Sequence, residues 1–286
     1  MSGLKEIKNR ITSVGSTIQI TSAMKMVSAA KLKKAQDAIT EMRPYANKMQ
    51  EILQNVCATL EGDVGGAFIE EREVKKVLLV VISSNRGLCG AFNSAVVKEA
   101  SKVIDSKYNN ADVELYTIGK KANDLLSKQY NVVKNYSDLF DDLTFKNTSN
   151  IVQEIMDLFV AGDYDKVEIV YNRFKNAATT ILTTEQMLPV VLPEGEGDQN
   201  SDYIFEPGKV EIVTNLIPKT LKTQLFKAVL DSVAAEHGSR MTAMHKATDN
   251  ATDLKNELLL TYNKARQASI TNEILEIVGG AEALNN

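Results

Sequence analysis

The sequence has no tryptophan, two cysteines and two histidines among its 286 residues, and aromatic residues make up only 6% of it. So few aromatics are unusual for a protein with an aromatic-lined ligand pocket. Cys57 and Cys89 alone cannot form a disulfide framework or a four-ligand zinc site, and they fit a reducing compartment. His237 and His245 lack further ligands at the spacing of a metal site. We therefore expect no metal ion and no cofactor.

Long apolar runs are absent as well. No stretch approaches the roughly 18 to 20 consecutive apolar residues that span a bilayer. The N-terminus, Met-Ser-Gly-Leu-Lys, lacks the apolar core of a secretory signal. We expect a cytoplasmic location without direct membrane insertion. With 44% hydrophobic residues, the chain has enough apolar side chains for a real core in one or two domains.

The net charge of −4 conceals a basic N-terminal segment. Residues 1–48 contain nine Lys or Arg side chains and three acidic ones, whereas residues 219–286 contain eight of each sign. A basic arm indicates an acidic partner, and nucleic acid is the first candidate. The arm lacks the stacking aromatics, zinc ligands and signature motifs of nucleic-acid-binding modules. We therefore favour an acidic protein surface and expect no nucleic acid.

The N-terminal segment has the periodicity of a long helix. Leu4, Ile7, Ile11, Val14 and Ile18 recur at spacings of three and four, which is the a/d pattern of a coiled coil. The next two positions of this a/d seam are polar, and the apolar residues that follow them recur in a different heptad register. We therefore predict that the register of the seam shifts here. The polar pair is Thr21 and Lys25, and the resumed phase is Met24, Val27, Ala35, Ala38, Met42, Tyr45, Met49, Ile52 and Val56. We also expect Pro44 to kink this helix.

The C-terminal segment is predicted to be longer still, because neither Gly nor Pro interrupts residues 239–278. A helix over 219–284 would be about 100 Å long, far beyond a helix of a compact domain. Two such terminal helices can pair antiparallel, and we expect surrounding protein to share the burial of the apolar tip, residues 270–284. The predicted seam is Leu254, Leu258, Thr261, Ala265 and Ala268, then after a second slip Ile270, Ile274, Ile277, Ala281 and Leu284.

The middle of the chain alternates strands and helices. Residues 77–82, Val-Leu-Leu-Val-Val-Ile, form a continuous apolar run typical of a strand buried on both faces. We predict further strands at 113–118, 131–136, 167–174 and 179–190, the last antiparallel, with helices at 91–108, 120–128 and 149–160. The predicted fold class is thus α/β, a long antiparallel coiled coil of the N- and C-terminal helices plus a Rossmann-like domain of about five strands.

The predicted division of the chain has four parts. They are an N-terminal coiled-coil helix (1–60), an α/β globular domain (74–192), an acidic loop and foot (193–208) and a C-terminal coiled-coil helix (209–286). Within the third part, residues 193–202 are rich in Gly and acidic residues, which is typical of a flexible loop.

The loop after the first strand, residues 83–90 (Ser-Ser-Asn-Arg-Gly-Leu-Cys-Gly), lies where α/β enzymes bind ligands. It matches neither the dinucleotide-binding nor the P-loop glycine pattern. A nucleophile at Ser84 or Cys89 would need a base, and the histidines lie about 150 residues away. We interpret the loop as structural, with Gly87 and Gly90 permitting a tight turn and Arg86 tying it to an acidic neighbour or partner. Two alternatives remain open, a Rossmann-like nucleotide-binding enzyme with helical extensions and a static coiled-coil scaffold.

Four segments resemble the gamma subunits of bacterial F-type ATP synthases, and the resemblance covers nearly the whole chain. They are residues 18–27 (Ile-Gln-Ile-Thr-Ser-Ala-Met-Lys-Met-Val), 83–90, 240–250 and 262–271 (Tyr-Asn-Lys-Ala-Arg-Gln-Ala-Ser-Ile-Thr). The resemblance implies a central rotor shaft inside a ring of three alpha and three beta subunits, coupling ion-driven rotation of a ring of c subunits to conformational change at the catalytic sites. The slips of seam register would help to make the surface of this shaft uneven.

The resemblance also implies contact residues on the two terminal helices. By position, Met24 and Lys25 resemble the contact of the N-terminal helix with an acidic lever loop of the beta subunit. Arg266, Gln267 and Thr271 resemble the matching contact on the C-terminal helix. A guanidinium offers a forked donor to a carboxylate and an amide both donates and accepts, so these side chains suit binding and do not suit cleavage.

A further contact region is implied in the foot. Tyr203, Phe205 and Glu206 resemble the residues that meet the epsilon subunit and the c ring. The resemblance therefore implies a non-catalytic subunit, peripheral to the cytoplasmic face of the cell membrane, with no cofactor of its own.

Overall fold

The computed structural model describes residues 2–58, 66–191 and 209–285. Two very long helices, α1 (Ser2–Ala58) and α5 (Lys209–Asn285), stand at the ends of the chain. Between them lie α2 (Phe92–Lys107), α3 (Lys120–Leu126) and α4 (Phe145–Ala161), and the strands β1 (Lys76–Ile82), β2 (Asp112–Ile118), β3 (Asn131–Asn135), β4 (Lys166–Asn176) and β5 (Thr179–Leu188). Two short 3-10 helices cover Gly66–Phe68 and Ser137–Phe140. The predicted long terminal helices and five-stranded α/β domain are confirmed.

The strands form one sheet in the order β3-β2-β1-β4-β5. Strands β3, β2, β1 and β4 run parallel to one another, and the edge strand β5 runs antiparallel to β4. This is the strand order of doubly wound α/β folds, in which the direction of winding reverses beside the first strand. The predicted antiparallel last strand is confirmed.

The central strand β1 is buried on both faces because each face of the sheet is covered by helices. Leu78, Val80 and Ile82 contribute to a core that also contains residues of α4 and α5. Val77 and Leu79 point to the other face, where α2 and α3 cover them. All these side chains have 0% exposure, as expected for parallel strands that are sandwiched between helices.

The chain divides into two compact units. The first consists of Met1–Ser28 and Met241–Asn286, and the second of Ala29–Arg240. The first unit is built from one end of α1 and one end of α5. The second contains the sheet, α2 to α4 and the remaining parts of the two long helices.

The seam of α1 in the first unit does not slip, so the predicted phase change is wrong. After Ile18 the same three-four spacing continues through Thr21, Lys25 and Ser28. Thr21 and Ser28 are 8% and 3% exposed, whereas Val27, which the prediction placed in a new seam, is 57% exposed. Each buried hydroxyl donates to a main-chain carbonyl one turn back, which removes the cost of burying it.

The seam of α5 also keeps one phase, and this phase differs from the prediction at several positions. Leu258 and Ala265 face the seam as predicted, but Leu254, Thr261 and Ala268 are exposed. The observed seam is Met241, Met244, Thr248, Ala251, Lys255, Leu258, Tyr262, Ala265 and Ser269.

In the second unit, the seam of α1 is apolar. Tyr45, predicted to face it, is 53% exposed. Pro44 lies inside α1, which continues to Ala58, and a kink at this residue stays a prediction. The buried positions are Leu32, Ala35, Ile39, Ala46, Met49 and Leu53.

Some predictions lie outside the described residues. These are the acidic loop 193–202 and the foot residues Tyr203, Phe205 and Glu206.

Candidate partner-binding site

Two contacts fix the antiparallel register of α1 and α5 in the first unit. The hydroxyl oxygens of Thr21 and Thr248 lie 2.8 Å apart, and Lys25 Nζ lies 3.3 Å from His245 Nδ1. A step of four residues forward along α1 thus corresponds to a step of three backward along α5. The predicted antiparallel pairing of the terminal helices is confirmed.

The same register explains why the end of α5 is bare. Continued toward the start of α1, it brings Leu4 opposite Ala265, and both side chains are partly buried. No described residue of α1 lies opposite the part of α5 beyond Ser269. Every residue from 270 to 281 is exposed. The apolar members are Ile270, Ile274, Leu275, Ile277 and Val278, which are 46% to 71% exposed.

Met24 and Lys25 stand beside an exposed apolar surface of α1. Both side chains are partly buried. Ile20, Met26 and Val27 are 60%, 65% and 57% exposed. Sequence reasoning missed this surface, although Ile20, Met24 and Val27 have the i, i+4, i+7 spacing of one helix face. Apolar side chains on a charged helix, with no described residue covering them, form a surface suited to binding another protein.

Arg266, Gln267 and Thr271 lie at the other end of the first unit. All three are exposed, and the Thr271 hydroxyl donates to the Gln267 carbonyl oxygen at 2.9 Å. Lys25 faces His245, and Arg266 lies 21 residues further along α5, or about 30 Å at 1.5 Å per residue. The structure therefore brings the five predicted contact residues into two separate places and not into one cluster.

The loop 83–90, at the carboxyl end of β1, is occupied by contacts within the chain. The main-chain amide of Lys120 donates to Asn85 Oδ1 at 3.0 Å. The amide of Lys121 donates to the Ser84 carbonyl oxygen at 3.1 Å. The amide of Ala122 donates to Ser83 Oγ at 2.9 Å. The first three amides of α3 are thus capped by this loop and are not free to bind an anion. Sequence reasoning assigned the loop a structural role without finding this partner helix.

The side chains within the loop also bond to one another. Ser84 Oγ donates to the Arg86 carbonyl at 2.6 Å, and Asn93 Nδ2 donates to Ser84 Oγ at 2.8 Å and to Cys89 Sγ at 3.2 Å. Cys89 is 2% exposed, and burial raises the pKa of its thiol. A buried, protonated thiol without an adjacent base is inert as a nucleophile. This arrangement counts against a catalytic role for Ser84 or Cys89.

Arg240 of α5 holds the loop from the other side. Its Nη2 donates to the carbonyl oxygens of Arg86 at 3.1 Å and Gly87 at 3.3 Å, and its Nη1 pairs with Glu236 at 2.7 Å. Burial raises the pKa of Glu236 against the opposing effect of Arg240. Burial, with the positive charges of Arg240 and Lys31, lowers the pKa of His237 to about 4. The loop is therefore anchored by Arg240. The Arg86 side chain, which we expected to tie the loop to an acidic neighbour or a partner, is exposed, and its positive charge acts on Glu236.

The tight turn in this loop uses Gly90, one of the two glycines predicted, together with a leucine. Positive φ angles occur at Leu88 (61°) and Gly90 (60°), and not at Gly87. A leucine in this conformation is strained, and it is held there by the buried Cys89 beside it and the anchored carbonyl of Gly87. Leu88 itself is 66% exposed.

A cavity of about 350 Å³ lies between α1, the end of β5 and α5. Its lining includes Ala46, Leu53, Met187, Ile217 and Leu221. No group of three or more His, Cys, Asp or Glu side chains is placed to hold a metal ion within residues 2–58, 66–191 and 209–285. In the same ranges, no helix is long and apolar enough to cross a membrane.

The family model described as ATP synthase matches residues 3–284. The ATP synthase gamma chain of Flavobacterium johnsoniae is 65% identical over 286 residues, covering 100% of both chains. The gamma chain of Flavobacterium psychrophilum is 65% identical over 289 residues, covering 99% of both. A chain of the Euglena gracilis mitochondrial ATP synthase, in a structure of OSCP, F1 and the c-ring, has a TM-score of 0.73 at 23% identity, covering 99% of this chain and 95% of its own. The last similarity concerns the fold alone.

Proposed function

Because this chain belongs to the ATP synthase gamma chain family, we propose that it is the central rotor shaft of a bacterial F-type ATP synthase. The observation that carries the proposal is the bare end of α5, where every residue from 270 to 281 is exposed and five of them are large and apolar. A helix of this kind is marginal in water without a partner. A surrounding ring of alpha and beta subunits, three of each, would cover it.

Rotation would couple the shaft to catalysis through differential binding. The first unit presents unlike surfaces around its axis, with Ile20, Met26 and Val27 exposed on α1. Three catalytic sites that meet different sides of the shaft would have different affinities for nucleotide. Rotation of the shaft would change which site has which affinity. Lys25 with Met24, and Arg266 with Gln267 and Thr271, would contact acidic loops of the beta subunits at two heights about 30 Å apart.

The chain would contribute no catalytic group. The capped α3 amides and the buried thiol of Cys89 support this, since they leave the usual ligand position of the α/β fold filled by the chain itself. The α/β domain would hold the epsilon subunit, and residues Tyr203, Phe205 and Glu206 would meet epsilon and the c ring. The complex would then lie on the cytoplasmic face of the membrane, with this chain attached peripherally.

Reconstitution with alpha and beta subunits tests the proposal. We expect ATP turnover to depend on the added chain, and Lys25→Ala or Arg266→Ala to lower the chain-dependent rate by about three- to tenfold, the effect of losing about 1 kcal/mol of ionic contact. Lys246→Ala is the matched control, because Lys246 is an exposed lysine of the same unit that the contact set does not include.

Two results would count against the proposal. Failure of the chain to co-purify with alpha and beta, or turnover that does not change when the chain is omitted, would favour a static scaffold. Calorimetric binding of a nucleotide to the isolated chain would favour the enzyme alternative.

A further inference from the structure

Lys25 and His245 meet across the helix pair together with a third charged group. The distance from Lys25 Nζ on α1 to His245 Nδ1 on α5 is 3.3 Å. The same imidazole nitrogen lies 3.5 Å from Asp249 Oδ2, one turn further along α5. All three residues belong to the first compact unit.

The chemistry of these groups allows the nitrogen only one of the two partners at a time. A lysine ammonium has donors and no acceptor, so a bond from Lys25 requires a lone pair on Nδ1 and a neutral imidazole protonated at Nε2. A carboxylate only accepts, so a bond to Asp249 requires a proton on Nδ1. With Nε2 also protonated, the ring is then positively charged and repels the ammonium.

We infer that His245 is a positioning residue for Lys25, holding the ammonium against α5 when neutral and releasing it when protonated, as its own bond passes to Asp249. The inference rests on the proposed function, in which Lys25 contacts a carboxylate of a partner subunit. Release makes the ammonium available to that carboxylate.

The charges that surround the imidazole are few. From α1, Lys25 is the only charged residue between positions 18 and 30. From α5, Lys246 and Asp249 are the charged residues within one turn. The side chains of His245 and Asp249 are 56% and 59% exposed, so protons and solvent reach the cluster. An imidazole changes its charge by taking up one proton, so the position of Lys25 depends on pH.

The test compares wild-type chain with His245→Gln in the complex reconstituted with alpha and beta subunits, between pH 5.5 and 8.5. Glutamine at 245 can accept from Lys25 but cannot take up a proton. We expect the ratio of chain-dependent ATP turnover, wild type over variant, to be about two- to fivefold higher at pH 5.5 than at pH 8.5, with the steepness of a single proton. Since the side chain at 245 is exposed, the variant should fold.

Three further variants separate positioning from a structural effect. Lys25→Ala should abolish the rise, because His245 acts only through Lys25. Asp249→Asn should move the rise to lower pH, because it removes the partner of the charged imidazole. Lys246→Gln, an exposed neighbour on the same helix, should leave the rise in place.

The outcomes distinguish this inference from the proposed function. A flat ratio, or a rise that persists without Lys25, overturns the positioning role while chain-dependent turnover still supports the rotor function. Turnover that is independent of the wild-type chain overturns both.

Discussion

Replacing Arg240 by methionine removes the group that ties α5 to the loop after β1. Methionine keeps an unbranched side chain but none of the donors that reach Glu236 and the carbonyl oxygens of Arg86 and Gly87. The Arg240 and Glu236 side chains are 9% and 13% exposed. The substitution therefore leaves a largely buried carboxylate without its partner.

The expected loss follows from that unpaired charge. Breaking a buried ion pair by removing one partner costs about 3–5 kcal/mol. Burial already raises the pKa of Glu236 while Arg240 is present, which indicates how poorly the carboxylate is solvated. We expect Arg240→Met to lower the free energy of unfolding of the second unit by about 3–5 kcal/mol at pH 7.5.

A second substitution should return part of this loss. Glu236→Gln together with Arg240→Met removes the unpaired charge, and what remains lost is the hydrogen bonding of Arg240 to the two loop carbonyls and to His237 Nδ1, at a cost of about 1–2 kcal/mol. The double variant should thus be about 2–3 kcal/mol more stable than Arg240→Met alone. Together with the Glu236→Gln single variant, this gain gives the coupling between the two side chains.

Urea unfolding followed by tyrosine fluorescence measures these values. The chain has no tryptophan, and eight of its nine tyrosines lie within Ala29–Arg240, so the signal reports mainly on the second unit. Arg266→Met serves as the control, because this arginine of α5 is exposed and should matter by less than about 0.5 kcal/mol. The reasoning fails if Arg240→Met costs less than about 1 kcal/mol, or if the double variant is no more stable than the single one.

Two further predictions concern the second unit. Gly119 has a φ of 115°, and a Cβ there would lie 2.4 Å from the Ser83 carbonyl oxygen, so Gly119→Ala should cost on the order of 3–4 kcal/mol in the same unfolding assay. Gly87→Ala, which meets nothing within 4 Å, should stay within about 0.5 kcal/mol, and equal losses would contradict this account. In the folded chain the pKa of His237 is lowered to about 4 from the ordinary 6.5. As the pH falls, the unfolded chain therefore takes up the proton first, and the free energy of unfolding decreases between about pH 6.5 and 4. His237→Gln should therefore lose less stability than wild type between pH 7 and 4.5 in urea titrations, and parallel losses would disprove the assignment.

The sheet was predictable because its information is local. The run Val77–Ile82 is apolar throughout, and its short length between polar ends favours a strand covered on both faces. The parallel direction of the strands followed from their alternation with helices, whereas their order in the sheet was not predicted. Gly119 could not be singled out in this way, because the need for glycine arises from the Ser83 carbonyl that the fold brings against it.

The seam of the helix pair was predicted wrongly for a related reason. Hydrophobic periodicity treats Thr21 as a break, but the buried Thr21 hydroxyl lies 2.8 Å from that of Thr248, 227 residues away in the chain. The partner that makes a polar seam residue acceptable lies on the other helix and is invisible in a local pattern. The same separation hid Arg240 as the anchor of the loop 83–90. The five contact residues of the helix pair came from family resemblance, and their roles stay predictions.

An unbroken seam changes where the asymmetry of the helix pair must be sought. Seam side chains face the partner helix, so a regular seam does not determine whether the outer surface of the pair is symmetric. Two described features make that surface unequal. Ile20, Met26 and Val27 are exposed on α1. Beyond Ser269, no described residue of α1 lies beside α5, which continues there as a single helix. A ring of equivalent subunits around such a pair would meet exposed apolar side chains unevenly, on α1, at Leu254, Leu259 and Leu260 of α5, and near the end of α5. If rotation exchanges the states of those subunits, each subunit must respond to the angle of the helix pair. The features that differ with angle are then the outward-facing residues and the unequal lengths of the helices, and not the register of the seam.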